Sequence, residues 1–266
     1  MRVVVVDNAS PDDSIARITT WARQFDFPVE MVVAPSNLGF AGGNNLGLSL
    51  LLRDPGVTHF LLLNNDATVA PDFFDEIARA LAVAPTAGLL TGTIYKSAER
   101  DKVWYAGGRE IRSRALIEHL EAVPPGAHPV PTEFVTGCVM LISRAAVTVI
   151  GLLADCYFPG YMEDAEYSLR ARDAGLPVLY APRVRAFHKI GATAGPASAS
   201  PFITQAQVRH RVFYVRRNFV GLERAVALAY LAITKPGKAL AETLAGRPKM
   251  GFAVLRGAFE GFTRKL

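Results

Sequence analysis

Cysteine is nearly absent from this 266-residue chain: Cys138 and Cys156 are the whole supply. Two thiols cannot build a disulfide scaffold or a four-thiolate zinc site, and they read as ordinary buried thiols of a reducing compartment. Charge is modest too, at 20% of residues against 50% apolar, which excludes disorder as the main state. No uncharged apolar run approaches the roughly 18–20 residues that cross a bilayer; the best candidate, Ala225 to Ile233, is far too short. The opening residues read as a strand and not as a charged-then-apolar leader. A Walker A motif, a full dinucleotide fingerprint after the first strand and a Gly-x-Ser-x-Gly nucleophile elbow are all missing. What remains is length enough for one large α/β domain with a sizeable core, or such a domain plus an appendage.

Charge is unevenly placed. The chain holds 29 basic and 24 acidic residues, of which residues 201–266 hold 12 and 3. The first 200 residues therefore carry 17 basic and 21 acidic residues, so the basic character belongs to the tail. There it is interleaved with Phe202, Phe213, Tyr214, Phe219, Leu222, Val226 and Leu228. That mixture suits a helix lying on anionic lipid, and equally a helix packed on its own domain with a solvated basic face. No nucleic-acid-binding motif accompanies it, so no nucleic-acid partner is expected.

Val3 to Val6 is a β-branched run, as in a buried parallel strand. It ends in Asp7-Asn8-Ala9-Ser10-Pro11, a turn and helix-start signal. Apolar spacing predicts a helix over Ser14 to Phe25 and strands over Val29 to Ala34 and Phe60 to Leu63. Asn37 to Gly47 reads as a glycine- and asparagine-rich loop that enters a helix through Leu52. Further helices are predicted over Pro71 to Val83 and Asp164 to Ala174, the latter stopped by Gly175 and Pro177. Gly88 to Ile94, Phe134 to Ile142, Val178 to Ala181 and Val184 to Phe187 are strand candidates. Lys96 to Pro131 reads as irregular. Alternating strands and helices point to a mostly parallel sheet covered on both faces. Ligands of such sheets sit beyond the carboxyl ends of the strands, where Asp7 and Asn64-Asn65-Asp66 fall.

Each polar cluster has a bland reading and a chemical one. Asp7 is a candidate hydrogen-bond acceptor for a nucleobase or ribose; alone, it reads as an Asx turn. The glycines of Asn37-Leu38-Gly39-Phe40-Ala41-Gly42-Gly43-Asn44-Asn45 allow close backbone approach, and the helix that follows offers free N–H groups to an anion. The alternative is a tight loop with asparagine caps. Asp66 can hold a divalent cation together with waters and substrate phosphates, or serve only as a turn residue. Glu163-Asp164-Ala165-Glu166 packs three acids into a helix start, where the macrodipole favours them. Three exceed what capping needs, and Asp164 is a candidate general base. Their repulsion is relieved by a cation or by Arg170 and Arg172. His188 ends a strand-like run and needs an acid partner in space to act as a ligand.

The order of these motifs is more specific than any one of them. Val-Val-Asp7-Asn8, Asn37-x-Gly39 through Gly43 to Asn45, Leu-Leu-Leu-Asn64-Asn65-Asp66, Thr136-Gly137, Glu163-Asp164-x-Glu166 and His188 together resemble a family 2 glycosyltransferase. The nearest flavour is the bacterial rhamnosyltransferase and galactofuranosyltransferase branch. The match runs from Met1 to about Gly195, and Tyr214 to Asn218 extends it weakly. The resemblance implies a GT-A fold over 1–200, N-terminally incomplete, followed by a helical extension over 201–266. It further implies hexosyl transfer from a nucleotide-diphosphate sugar with inversion, assisted by Mg²⁺ or Mn²⁺. Carried over by position, Asp7 contacts the donor base, and Asn37, Gly39, Gly43 and Asn45 line the nucleotide pocket. Asn64, Asn65 and Asp66 form a degraded Asp-x-Asp-type motif. Asp66 and His188 hold the metal, Asp164 is the base, and Gly137, Glu163 and Glu166 shape the donor and acceptor pocket. The implied acceptor is a glycan or lipid-linked hydroxyl, in cell wall or polysaccharide synthesis. The implied location is the cytoplasm, peripheral at the inner face of the plasma membrane.

The resemblance also carries a discrepancy. Family members open with one more strand, loop and helix than are found before Val-Val-Asp7. Loss of that central strand leaves its neighbours with unpaired backbone groups. A start codon placed too late, a truncated product or repair by another segment are the three expected accounts. The competing function is a catalytically impaired homologue that only binds a nucleotide sugar, a glycan or a protein partner.

Overall fold

The structure, a computed structural model, describes residues 1–189 and 200–265. The end of the family match near Gly195 therefore lies outside the described residues. The first layer is a parallel pair, β1 (Val3–Asp7) and β2 (Val29–Val33), joined by α1 (Ser14–Ala22). Next come α2 (Gly39–Leu51), β3 (His59–Leu63), β4 (Ala67–Val69), α3 (Phe73–Val83) and β5 (Leu89–Lys96). An extended excursion follows: β6 (Glu99–Tyr105), β7 (Gly108–Ile111), β8 (Leu116–His119) and β9 (Val130–Pro131). The chain then returns through β10 (Val139–Ser143), α4 (Arg144–Ile150), α5 (Glu163–Asp173) and β11 (Val178–His188). Three helices complete it: α6 (Pro201–Asn218), α7 (Gly221–Leu244) and α8 (Pro248–Thr263).

The larger sheet runs β3-β10-β5-β11-β4, with β6 added beside β5 and β9 beside β11. It is mixed, which corrects the expectation of a mostly parallel sheet. β5 and β11 are parallel, but β10 lies antiparallel between β3 and β5, and β4 runs antiparallel to β11. A continuous apolar run marks a strand buried on both faces without fixing its direction, so Val139 to Ile142 gave no warning of the reversal. β1 pairs with β2 and β3 pairs with β10, as two separate ladders with no strand joining β1 to β3 among the described residues.

Both faces of the large sheet are covered. In β10, Val139 and Leu141 enter one apolar cluster, with Phe73 and Ile77 of α3. Met140 and Ile142 enter another, with Leu48 of α2, Ala146 of α4 and Tyr167 of α5. This is the two-residue alternation of a strand, and each fully buried large side chain contributes about 2 kcal/mol. α4 begins at Ser143, whose hydroxyl accepts from Ala146 N–H at 3.1 Å, a serine N-cap. α6 begins the same way, Ser200 accepting from Ile203 N–H at 3.2 Å ahead of Pro201. Val212, Tyr214 and Phe219 join the same cluster as Leu90, Ile94 and Tyr180 of the sheet. The chain after residue 200 thus shares the core of the sheet.

Other departures have local causes. Val178 to Ala181 and Val184 to Phe187 are one strand, with a register shift against β5 between Ala181 and Arg185 that absorbs Pro182. Lys96 to Pro131, expected to be irregular, contains β6 to β9, whose polar residues lie at an edge and mask the two-residue period. The strand expected from Phe134 starts only at Val139, because residues 134–138 turn past the mouth of the site.

Candidate functional site

The site forms where β3 and β11 end and β10 begins. Asn64 N–H donates to Cys138 O at 3.1 Å, and Ala67 N–H donates to Asn64 O at 3.0 Å. The resulting turn links β3 to β4 and presents Asp66. Asp66 O in turn accepts from Lys189 N–H at 2.9 Å, and Ala67 lies opposite His188 in the ladder. The side chains meet: His188 Nε2 lies 3.1 Å from Asp66 Oδ1, each side chain only 12% exposed. His188 Nδ1 is buried without a hydrogen bond among the described residues.

The second wall is the start of α5. Asp164 Oδ2 accepts from Gly137 N–H at 3.0 Å and Oδ1 from Ala165 N–H at 2.9 Å. Gly137 is required there, since a Cβ would stand 2.7 Å from Phe40 Cζ. Between the walls lies Cys138. Burial pushes its thiol up to about 12, and the charges of Asp66 and Asp164 push in the same direction. One buried sulfur thus senses both carboxylates, and the Gly137–Cys138 backbone ties the two walls together, Gly137 N–H donating to Asp164 and Cys138 O accepting from Asn64 N–H.

Burial raises the affinity of Asp164 for a proton, against the pull of the two backbone N–H groups. Its neighbour Glu163 is 4% exposed and has one buried oxygen without a hydrogen-bond partner among the described residues. Burial first, and the Asp164 charge second, push Glu163 up to about 8. Two adjacent acids in one dry site do not both ionise near neutrality. Backbone donors hold both oxygens of the Asp164 carboxylate.

The turn ahead of these acids is strained. Tyr161 and Met162 have φ of 77° and 87°, a region unfavourable to side chains larger than glycine. α6 holds it in place: Arg209 Nη2 donates to Phe158 O at 2.9 Å, and His210 Nδ1 lies 3.0 Å from Gly160 O. His210 is fully buried, and burial followed by the Arg209 charge lowers it to about 4. α2 supports the turn from the other side, as Phe40 N–H donates to Pro159 O at 2.8 Å.

The glycine-rich segment is not the loop expected from the sequence. It is helical from Gly39, which has φ of +70° and packs so closely that a Cβ would meet Pro159 O at 2.8 Å. Gly43 and Gly47 let α2 lie close to β1, since a Cβ at either would stand 3.3 Å from Asn8 Nδ2 or Val6 Cγ2 respectively. Asn37 Oδ1 accepts from Gly39 N–H at 2.9 Å and from Asn8 Nδ2 at 3.2 Å, locking α2 to the end of β1. Asn45 is fully engaged with Leu153, donating to its carbonyl at 2.9 Å and accepting from its N–H at 3.1 Å. Asp7 is buried and accepts from Ser10 N–H at 3.1 Å, the Asx turn of the bland reading.

The structure thus brings together Asn64, Asp66, Gly137, Glu163, Asp164 and His188, with exposed Asn65 on the same turn. Glu166 lies elsewhere. It is fully buried, 2.8 Å from Arg170 and 3.5 Å from Arg217 of α6, because its helical offset turns it toward the C-terminal helices. Sequence reading missed Trp104, whose ring packs 4.8 Å from His188 and 4.7 Å from His119. It also missed Phe40, Arg209 and His210. Trp104 was hidden in the stretch read as irregular, and Phe40 counted only as a spacer between glycines.

Among the described residues no group of three or more His, Cys, Asp or Glu is placed to hold a metal ion. The Asp66–His188 pair fits a different kind of ion site. One carboxylate and one imidazole about 3 Å apart are spaced like neighbouring ligands of a hard divalent ion that completes its shell with water and phosphate oxygens. Among the described residues the buried Nδ1 of His188 has no hydrogen-bond partner, which marks His188 as a residue with a use beyond packing.

A mixed sheet with this acid-lined edge defines the class: the fold is that of the GT-A glycosyltransferases. Among solved structures it is similar to GalNAc-T7 in complex with UDP, GalNAc and Mn²⁺, with a TM-score of 0.61 at 16% identity over 78% of this chain and 41% of that one. It is similar to the mannosyltransferase PcManGT from Pyrobaculum calidifontis in complex with GDP-Man and Mn²⁺, with a TM-score of 0.59 at 18% identity, covering 100% of this chain and 79% of that one. It also resembles S. aureus TarS in complex with UDP, with a TM-score of 0.53 at 12% identity over 98% of this chain and 79% of that one. In sequence it is 26% identical over 192 residues to the low-salt glycan biosynthesis hexosyltransferase Agl10 of Haloferax volcanii. That alignment spans 70% of this chain and 58% of Agl10. The profile of glycosyl transferase family 2 matches residues 1–147. The chain belongs to that family.

Proposed function

We propose that the chain is an inverting, metal-assisted hexosyltransferase. It moves a sugar from a nucleotide-diphosphate donor to a hydroxyl of a glycan or lipid-linked acceptor, with Asp164 as the base. The single observation that carries this reading is that adjacent residues bind both sides of the site: Gly137 N–H donates to Asp164 Oδ2, and Cys138 O accepts from Asn64 N–H at the head of the Asp66 turn. It supports a cleft with a metal-and-phosphate side and a base side. The names of the relatives, a glycan-building hexosyltransferase and enzymes bound to UDP or GDP-Man with Mn²⁺, support the same class of donor and ion.

A sugar hydroxyl is a poor nucleophile until its proton is taken as attack proceeds. Asp164 is suited to that task. Two backbone N–H groups fix both carboxylate oxygens, while burial strengthens the affinity for a proton. Protonated Glu163 keeps the pair at one negative charge. As the acceptor proton moves to Asp164, the acceptor oxygen bonds to the anomeric carbon. The bond to the diphosphate breaks with its electron pair on the leaving oxygen, and the configuration inverts. Mg²⁺ or Mn²⁺ held by Asp66 and His188 would neutralise charge on the diphosphate. Asn64 and Asn65 supply neutral donors beside it, so ion affinity is lower than in a two-acid site. On the donor side, Asp7 meets the base, and Asn37, Gly39 and Gly43 shape the nucleotide wall. Asn45, spent on the Leu153 backbone, and Glu166, paired with Arg170 and Arg217, serve the fold and not the donor.

Deoxythymidine-diphosphate rhamnose is the first donor to test, with UDP and GDP sugars beside it. The test is Asp164→Asn, with sugar transfer followed by product detection and donor binding followed by calorimetry with Mn²⁺. Transfer falls by about 10³-fold while donor binding survives. Unchanged turnover removes Asp164 from the base role.

A further inference from the structure

α8 buries its glycines and exposes its phenylalanines. Gly251, Gly257 and Gly261 face inward, where a Cβ at Gly251 would stand 2.6 Å from Ala239 O and one at Gly261 would stand 2.7 Å from Val212 Cβ. The opposite face carries Phe252, Leu255, Phe259 and Phe262, with Phe252 65% exposed and Phe259 68%. Steps of three, four and three residues align them in one stripe about 15 Å long. An open groove continues the stripe to Phe202 of α6, and Lys249 and Arg256 stand at its rim. A soluble helix does the reverse, so this face has a partner.

The charge around the stripe identifies that partner. Residues 201–266 hold three acids, and all three are ion-paired. Glu223 binds Arg112, Glu242 binds Arg247, and Glu260 binds Arg209 and Arg256. Lys249 before the stripe and Arg264 and Lys265 after it are exposed. An apolar stripe of phenylalanine and leucine bracketed by cations matches the boundary between anionic headgroups and acyl chains. Among the described residues no helix is long and apolar enough to cross a membrane, so the contact is with a surface.

We propose that α8 and the start of α6 form a docking face for an anionic lipid bilayer, with the four apolar side chains of α8 inserted and the cations on the headgroups. The proposal deepens the reading of a lipid-linked acceptor and rests on it for its purpose. α6 also grips the turn before Asp164 through Arg209 and His210. Docking therefore fixes the height of the base above the bilayer, where the hydroxyl of a lipid-linked acceptor is presented.

The test uses the whole chain and flotation with phosphatidylglycerol-containing or pure phosphatidylcholine vesicles, without donor or metal. Binding to the anionic vesicles is expected, weakened at about 0.5 M salt. The double variant Phe252→Ser with Phe259→Ser loses at least about tenfold in partitioning. Lys249→Glu with Lys265→Glu loses the preference for anionic lipid. Both pairs are on the surface, so an unchanged thermal melt confirms that each variant is folded. Absence of vesicle binding, or binding unaffected by the serine pair, overturns the proposal. So does a wild-type dimer that the serine pair dissolves without any vesicle binding. No sugar transfer is measured, so failure here leaves the proposed activity standing, and failure of sugar transfer leaves the docking face standing.

Discussion

The strand edge and the C-terminal helices use the same residue types in opposite senses. At the edge, apolar residues of β10 alternate into two covered faces, and polar groups collect at strand ends around a small cleft. There a glycine, Gly137, admits Phe40 and gives its N–H to a carboxylate. In α8 the glycines also permit close approach, but to neighbouring helices, and the large side chains are turned out. On the proposed reading the first region positions atoms of a small molecule, the second meets a lipid surface, and α6 joins the two.

Four substitutions break or sharpen that contrast. Asp164→Asn is the largest, with about a 10³-fold loss of transfer and little change in fold. Gly137→Val follows. Its side chain collides with Phe40 and takes Asp164 off its backbone donor, costing about 1–3 kcal/mol in denaturant unfolding; transfer is lost with it. The same substitution at an exposed helical glycine such as Gly237, which has open space for a Cβ, gains the small helix-propensity difference between valine and glycine. His210→Ala tests the link between the regions. It releases the strained turn at Tyr161 and Met162, lowering kcat by about tenfold while the KM for the donor holds. Burial holds His210 neutral, at about 4 in the folded chain against an ordinary 6.5. Its contribution to stability is therefore present above pH 6.5 and lost as pH falls toward 4, and thermal melts of the alanine variant lack that dependence.

Glu163→Gln is the smallest and opposite in sign. Glu163 is pushed up to about 8 from an ordinary 4.5, so the folded state holds a proton that the unfolded chain releases. Stability therefore falls as pH rises from 4.5 through 8. The glutamine removes that cost, raising Tm by roughly 2–4 °C at pH 8 and leaving it unchanged near pH 4.5.

Local chemistry was legible where one stretch of chain settles it. The run before Asp7, the strand before Asn64 and the acids opening α5 fall where their patterns place them. Sheet direction was not legible, since Val139 to Ile142 reads the same parallel or antiparallel. The glycine segment misled because glycines that thin a helix for packing look like glycines that open a loop. Asn45 looked like a ligand contact and is spent on the Leu153 backbone. Its partner is 108 residues away, beyond any local pattern. The roles of Arg209 and His210 required knowing that α6 crosses the turn at residues 158–162.

On the proposed reading the site has two chemically distinct walls, an ion-holding one at Asp66 and a proton-accepting one at Asp164. Titration of Mn²⁺ with nucleoside diphosphate into Asp66→Ala and Asp164→Asn, followed by calorimetry, tests it most directly. Nucleotide-dependent ion binding should vanish in the first and persist in the second; equal loss, or equal retention, would contradict the division of labour between the two carboxylates.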